Sequence, residues 1–278
     1  MEDCRFLPGT PYHDAIYTAF RSHLRYVVNH VMGDKSMDIF MDIVEKAMKD
    51  DPSMDLNYIR SLRLSADHCG YYPRQDQIPR MARLGMHFSC GPKEIDDMGS
   101  YIPKIYSEKY AKQIGPIRSM LAGGLIVANE GAGDGLSDVN PTAFARFYPY
   151  ISRKRTNGVV IAADEAVNRI QLLKMSTSFA AAYTMRDKEI GTLEAGKLAD
   201  FVVFSKDYFT IPEPEITSVI PLMVVTGGKT IVLREEYAKE IGQSAVGPQL
   251  KFSYEVPRAN AQARDGDGVD ATELLRRN

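Results

Sequence analysis

Cysteine is scarce. The 278 residues hold three, Cys4, Cys69 and Cys90, an odd number with none of the spacing of a zinc finger. That excludes a disulfide-dense secreted scaffold and makes free thiols in a reducing compartment the expectation. A chain of this length needs no staple, since it buries roughly three quarters of the surface its unfolded form exposes. It contains no run of about 18 apolar residues, so no membrane-spanning helix is expected. Met1-Glu2-Asp3-Cys4-Arg5 lacks the charged-then-apolar pattern of a signal peptide, and a cytoplasmic location is the expectation. An excess of either charge is missing too. With 34 basic against 36 acidic residues, composition makes no case for nucleic acid or an anionic membrane as partner. A small-molecule substrate is the expected partner.

What is there is alternation. Thr10 can cap a helix that opens on Pro11 and repeats Ile16, Phe20 and Leu24 at helical spacing. Tyr26 to Asn29 reads as a short buried strand that stops at His30 and turns through Gly33. Asp34 can cap the next helix, whose stripe of Met37, Phe40, Met41, Val44, Ala47 and Met48 is core packing. Asp50 to Ser53 breaks it. A second strand, Leu62 to Ala66, ends at Asp67-His68, and a short helix with Ile78, Met81, Ala82 and Leu84 stops at Gly85. Met86 to Cys90 is a third strand. A helical pattern begins near Lys104, restarts at Pro116, and leads to a fourth strand, Leu125 to Ala128. Continuously apolar strands separated by helices indicate βα units around a parallel sheet.

Past the fourth strand lies a glycine-rich loop, Asn129 to Gly135. It lacks the lysine and hydroxyl residue of a nucleotide-binding loop and opens into no helix, so it reads as a loop at a sheet mouth. Helices are expected over Thr142 to Tyr148 and Glu165 to Met185. The pattern then turns to β: Phe201 to Phe204, and Val219 to Val225 joined through Gly227-Gly228 to Thr230 to Leu233 as a hairpin. Residues 257–278 are polar and lack periodicity. Asp265 to Asp270 has part of a calcium-loop spacing without its closing glutamate, which favours a solvated tail.

The chemistry-bearing candidates are the strand-end histidines. His30 and His68 close successive strands, the edge where β/α folds place their sites. Each is open to two readings, a metal ligand or an imidazole satisfied by ordinary hydrogen bonds. Asp34 reads as a helix cap or a buttress, and Asp67 as an acceptor behind a ligating imidazole or a solvated strand end. Cys69 reads as a soft ligand or a small buried thiol. His87 lies mid-strand, His13 and His23 sit on the first helix, and Cys90 has no adjacent base.

Three stretches carry a family resemblance. His30-Val-Met-Gly-Asp34, Asp67-His68 with Ile78 to Gly85, and Ile190 to Val203 together resemble the second half of a metal-dependent hydrolase of the amidohydrolase superfamily. They are similar to the long-chain branch that includes N-substituted formamide deformylase and exoenzyme-regulatory proteins. The resemblance implies an α/β fold, a partial (β/α) TIM-like barrel of about four βα units followed by a small β-rich module. It divides the chain into a hydrolase-like region over residues 1–186, a β-sandwich-like module over 187–236 and an extension over 237–278.

By the same resemblance His30 and His68 are metal ligands for a divalent ion, zinc first and iron or manganese as alternatives, and the activity is hydrolysis of carbon–nitrogen bonds such as amides. The sequence departs from the family at Ala132, which stands where the family's proton-accepting aspartate is expected. Glu130 and Asp134 flank it and are the candidate catalytic carboxylates. The His-x-His pair of the family's first strand and the bridging residue of its fourth fall outside the matched stretches. Four strands cannot close a barrel alone, so a homo-oligomer or a complementing chain is expected to cover the edges. The competing reading is a half-barrel without catalysis that acts by binding a partner chain.

Overall fold

The computed structural model describes residues 7–27, 29–31, 33–130, 143–155 and 157–251. Ala132, Asp134, Cys4, most of the glycine-rich loop and the calcium-like stretch lie outside them. The chain divides into two compact units after Glu130.

The first unit is built from βα repeats. Helix α1 (Pro11–Arg21) is capped as its sequence expects, the Thr10 hydroxyl accepting from the His13 N–H at 3.2 Å. Strand β1 (Asn29–His30) is shorter than expected. Before it, the Arg25 guanidinium donates to the carbonyls of Leu62 and Arg63, which anchors that segment outside the sheet. Helix α2 (Asp34–Asp50) follows, with Met37, Phe40, Met41, Val44 and Ala47 fully buried. Gly33, not Asp34, is its N-cap, and the Asp34 carboxylate instead receives Arg74 at 3.0 Å. Arg74 also reaches Asp38 at 3.1 Å, tying α2 to the loop after the second strand.

Between α2 and β2 (Ser65–Asp67) stands a helix that the pattern does not announce, α3 (Leu56–Leu62), capped by Asp55 accepting from the Tyr58 N–H at 2.8 Å. Leu62, expected to start the strand, ends this helix. Helix α4 (Ile78–Leu84), β3 (His87–Cys90) and α5 (Lys93–Ile105) come next. The last starts eleven residues earlier than the expected pattern, with Glu94 and Asp96 in its first turn, where acidic side chains suit the helix dipole. A 3-10 turn, α6 (Ile117–Ala122) and β4 (Ile126–Asn129) complete the unit. The four strands are parallel in the order β1-β2-β3-β4, with Ala66, Phe88, Val127 and Ala128 buried.

The second unit pairs helices with an antiparallel sheet. Helix α7 (Ala143–Ser152) is followed by α8 (Arg169–Ser176) and α9 (Ser178–Tyr183), where one long helix was expected. The break falls at Thr177, whose φ of −130° and ψ of −93° are not helical. Strands β5 (Phe201–Phe204), β6 (Pro221–Thr226) and β7 (Lys229–Leu233) form the sheet, with the expected hairpin through Gly227-Gly228. Its core gathers Phe144, Tyr208, Ile216 and Val219, the first two rings stacked at 4.7 Å. A short helix, α10 (Glu235–Glu240), is the last element among the described residues. Among the described residues no helix is long and apolar enough to cross a membrane.

Phe40 is the anchor of the first unit. It is fully buried, with the rings of Phe20 and Tyr26 at 5.9 and 6.0 Å. Phe40→Ala is expected to cost about 3–5 kcal/mol of stability, read by urea titration of the first unit's transition.

Candidate metal centre at the ends of β1 and β2

The parallel register sets His30 directly opposite Asp67. Register partners on neighbouring strands project their side chains to the same face, so an imidazole and a carboxylate stand side by side at the sheet's edge. His68, the next residue, would face away if the strand ran straight, because successive side chains alternate. It does not run straight. His68 has φ +73° and Cys69 φ +52°, both left-handed, and this turn swings the His68 ring back toward the other two side chains.

The result is a compact group. The rings of His30 and His68 meet edge to face with centroids 4.3 Å apart. His30 Nδ1 is 4.0 Å from Asp67 Oδ1, and His68 Nε2 is 3.7 Å from Asp67 Oδ2. One ligand atom from each of His30, Asp67 and His68 lies within 4.8 Å of the others. The His30 side chain is 67% exposed, against 12% for Asp67 and 16% for His68, so the group opens to solvent on the His30 side.

The structure thus brings together both expected histidines and adds Asp67 as a third donor beside them. Two imidazoles and a carboxylate are a donor set suited to zinc and similar ions. Asp67 Oδ1 is buried without a hydrogen-bond partner, although an unsatisfied buried carboxylate oxygen is costly. A cation among these donors would satisfy it. The residues fit a metal.

Glu130, at the end of β4, reaches the same place. Its Oε2 accepts from the His68 backbone N–H at 3.1 Å and its Oε1 lies 2.8 Å from His68 Nδ1. The second contact lies off the ring's N–H direction, so it is a close approach and not an aligned hydrogen bond. Asp134, the other expected catalytic carboxylate, lies outside the described residues. Cys69 is not a free thiol: it is disulfide-bonded to Cys90, which corrects the expectation of unpaired cysteines and removes Cys69 as a soft ligand. The pairing follows from the register, since Ala66 stands opposite Phe88 and the two cysteines occur just beyond, at the same end of neighbouring strands. His87 is not mid-strand but opens β3, in register with Ser65 and Ile126, which open β2 and β4, at the end of the sheet opposite the cluster. His23 faces Asp51 at 3.3 Å and His13 faces Asp14 at 3.1 Å, both on the α1 side.

The strand-end loops also gather aromatic rings. Gly33 and Tyr71, each three residues beyond a strand-end histidine, form a parallel bridge. Tyr71 stacks on Tyr106 at 6.1 Å with Tyr110 edge-on, and burial together with the nearby Asp34 charge pushes its phenol up to about 12.

Glu94 went unrecognised in the sequence, where it looks like an ordinary first-turn acid. It is only 3% exposed and makes no side-chain hydrogen bond among the described residues. Burial pushes its carboxyl up to about 7, with Asp97 and Glu130 adding to the rise and Lys93 opposing it. The folded state therefore holds this proton more tightly than the unfolded chain does. Stability from this group is greatest below the unfolded carboxyl's pKa of 4.5 and falls as pH rises toward 7. Glu94→Gln is expected to flatten that decline and to exceed the parent in stability above pH 7, measured by urea titrations across the range.

Comparison with known proteins places these features. Residues 13–232 match the model of the Amidohydrolase family. Protein LONG AFTER FAR-RED 3 of Arabidopsis thaliana is 26% identical over 211 residues, covering 74% of this chain and 34% of that protein. N-substituted formamide deformylase of Arthrobacter pascens is 26% identical over 207 residues, covering 73% and 35%. The chain spans about a third of the length of these curated relatives. Among solved structures, an uncharacterized metal-dependent hydrolase from Pyrococcus horikoshii OT3 superposes with a TM-score of 0.56 at 18% identity, covering 72% of this chain and 38% of that one. An amidohydrolase from Thermotoga maritima MSB8 gives 0.51 at 16% identity, covering 82% and 49%. These likenesses show a shared fold over part of a larger enzyme architecture.

Proposed function

The chain belongs to the Amidohydrolase family, and from that premise we propose that it is a metal-dependent hydrolase of carbon–nitrogen, non-peptide bonds such as amides. The observation that carries this reading is the cluster of His30, Asp67 and His68, with its buried and unsatisfied carboxylate oxygen. These three side chains would hold a divalent ion, zinc first, with iron or manganese as alternatives. Such an ion supplies Lewis acidity and a bound water that ionises near neutral pH.

The chain's own residues do the rest. His30, at the open side, leaves the approach for a small substrate. Asp67 brings the negative charge that two neutral imidazoles lack. Glu130 has both oxygens directed at His68 and serves that imidazole, so the removal of a proton from water falls, in this reading, to Asp134. The amide preference rests on the similarity to N-substituted formamide deformylase. The parallel strands are read as part of a TIM-like barrel, by their likeness to the hydrolase from Pyrococcus horikoshii OT3.

Eight strands close such a barrel, and the described residues supply four parallel ones, so pairing with a second copy or a complementing chain belongs to the proposal. Light scattering that finds only monomer, with or without zinc, argues against a second copy.

Purified protein dialysed against zinc and then against metal-free buffer is expected to retain stoichiometric metal. His30→Ala and His68→Ala are expected to lose it while keeping the parent's circular dichroism. Parent protein that retains no zinc, iron or manganese would end the hydrolase reading.

A further inference from the structure

The surroundings of His68 form a closed circuit. His68 is joined by its peptide bond to Cys69, and Cys69 is joined by the disulfide to Cys90. The Cys90 carbonyl accepts from the Glu130 N–H at 2.9 Å, and the Glu130 side chain returns to the His68 N–H at 3.1 Å and to His68 Nδ1 at 2.8 Å. Two more contacts brace it. The His68 carbonyl accepts from the Gly91 N–H at 3.2 Å, and the Cys69 carbonyl from the Gly115 N–H at 3.1 Å. Both cysteines are buried, so the bridge lies inside the structure that carries the site.

We propose that Glu130 and the Cys69–Cys90 bridge act together as a positioning clamp that presets the His68 imidazole for a cation. The inference rests on the reading of His68 as a ligand and adds how that ligand is held. The ring's two nitrogens face different partners: Nδ1 faces Glu130 and Nε2 faces Asp67 and the donor cluster. A carboxylate behind Nδ1 favours the tautomer with its proton on Nδ1 and leaves the Nε2 lone pair free to bind. The carboxylate can stay there because Cys90 fixes its backbone, and the bridge keeps Cys90 at a fixed distance from residue 69. The Cα atoms of the two cysteines are 5.0 Å apart.

Glu130 is thus a positioning residue, acting through His68, and the bridge sets the spacing on which it depends. The Glu130 carboxylate packs on the loop after β3, where a Cβ at Gly91 would lie in ordinary contact with Oε2 at 3.7 Å.

The test uses the full chain and two readouts. The first is the nitrogen NMR spectrum of the imidazoles in metal-free protein at about pH 8, where a free imidazole is neutral. The His68 signals are identified by their loss in His68→Asn. The parent is expected to show the Nδ1–H tautomer at His68. Glu130→Gln and the double variant Cys69→Ser/Cys90→Ser are each expected to shift His68 toward the mixture of a free imidazole. Serine is used in place of reduction because liberated thiolates would themselves bind zinc.

The second readout is zinc affinity, by competition with a chromophoric chelator. Each variant is expected to weaken zinc binding roughly 10- to 100-fold. The triple variant should be little weaker than either, because one clamp can be lost only once. Glu130→Asp, which keeps the charge on a shorter arm, should recover part of the loss. An unchanged tautomer in both variants, or losses that multiply in the triple variant, overturns the clamp. If the parent binds no zinc but shows the Nδ1–H tautomer and loses it in both variants, the clamp stands and the hydrolase reading fails.

Discussion

The left-handed turn at His68 and Cys69 is the constraint on which the site depends. Two consecutive non-glycine residues with positive φ are unfavourable, by about 1–3 kcal/mol each. They persist because their surroundings specify them several times over. The Cys69 N–H donates to the Asp67 carbonyl at 3.0 Å and approaches the Tyr72 hydroxyl at 3.3 Å, and that hydroxyl donates to the same carbonyl at 2.5 Å. Tyr72 and Cys69 are fully buried. With carbonyl contacts to Gly91 and Gly115 and the bond to Cys90, the turn is held from three sides. Sequence neighbours that alternation would send to opposite faces of a sheet instead share one.

Once the turn exists, the site's electrostatics follow. Asp67 is nearly buried, and a carboxylate taken from water needs compensation. Among the described residues two imidazoles approach it, at 3.7 and 4.0 Å, neither at hydrogen-bond distance. A carboxylate left this way is poorly satisfied without a cation. Farther out, Glu94 deals with the same shortage of solvent by keeping its proton near neutral pH. The mouth of the sheet therefore carries two kinds of carboxyl, Asp67 set beside two imidazoles and Glu94 pushed up to about 7 by burial. That difference comes from the partners, not the residue types.

Much of this was legible in the sequence, and the limits are physical. Helix α2 was readable because its apolar residues recur at helical spacing from Met37 to Met48 and nearly all of them are buried. His30 and His68 were readable because strand ends in β/α folds are where side chains converge. Asp67 reads from the sequence as an acceptor behind an imidazole or a solvated strand end, since its place beside His68 depends on a backbone turn that residue types do not encode. Helix α3 escaped because seven residues with one buried side chain leave no stripe to detect, although Asp55 is a good cap. The bridge between Cys69 and Cys90 escaped for a related reason. Three cysteines give no parity signal, and only the register of β2 against β3 brings residues 21 apart to 5.0 Å.

The cluster's location bears on what a chain of this extent can do. All three donors come from β1 and β2 and the residue just beyond, and Glu130, which braces one of them, comes from β4 in the same compact unit. The matched stretch covers only about a third of each larger relative. A ligand group drawn from scattered strands would depend on the whole closed barrel for its geometry. One drawn from two adjacent strands depends on their register and on one turn, and both are fixed locally, by the ladder between β1 and β2 and by the bonds around Cys69. In the proposed reading, holding an ion is thus separable from completing a substrate pocket. The first needs only the local order of residues 29–130, whereas the second needs whatever covers the open edges of the sheet. The two capacities can rise or fall independently, which is why the ion, and not the substrate, is the direct probe of this fold.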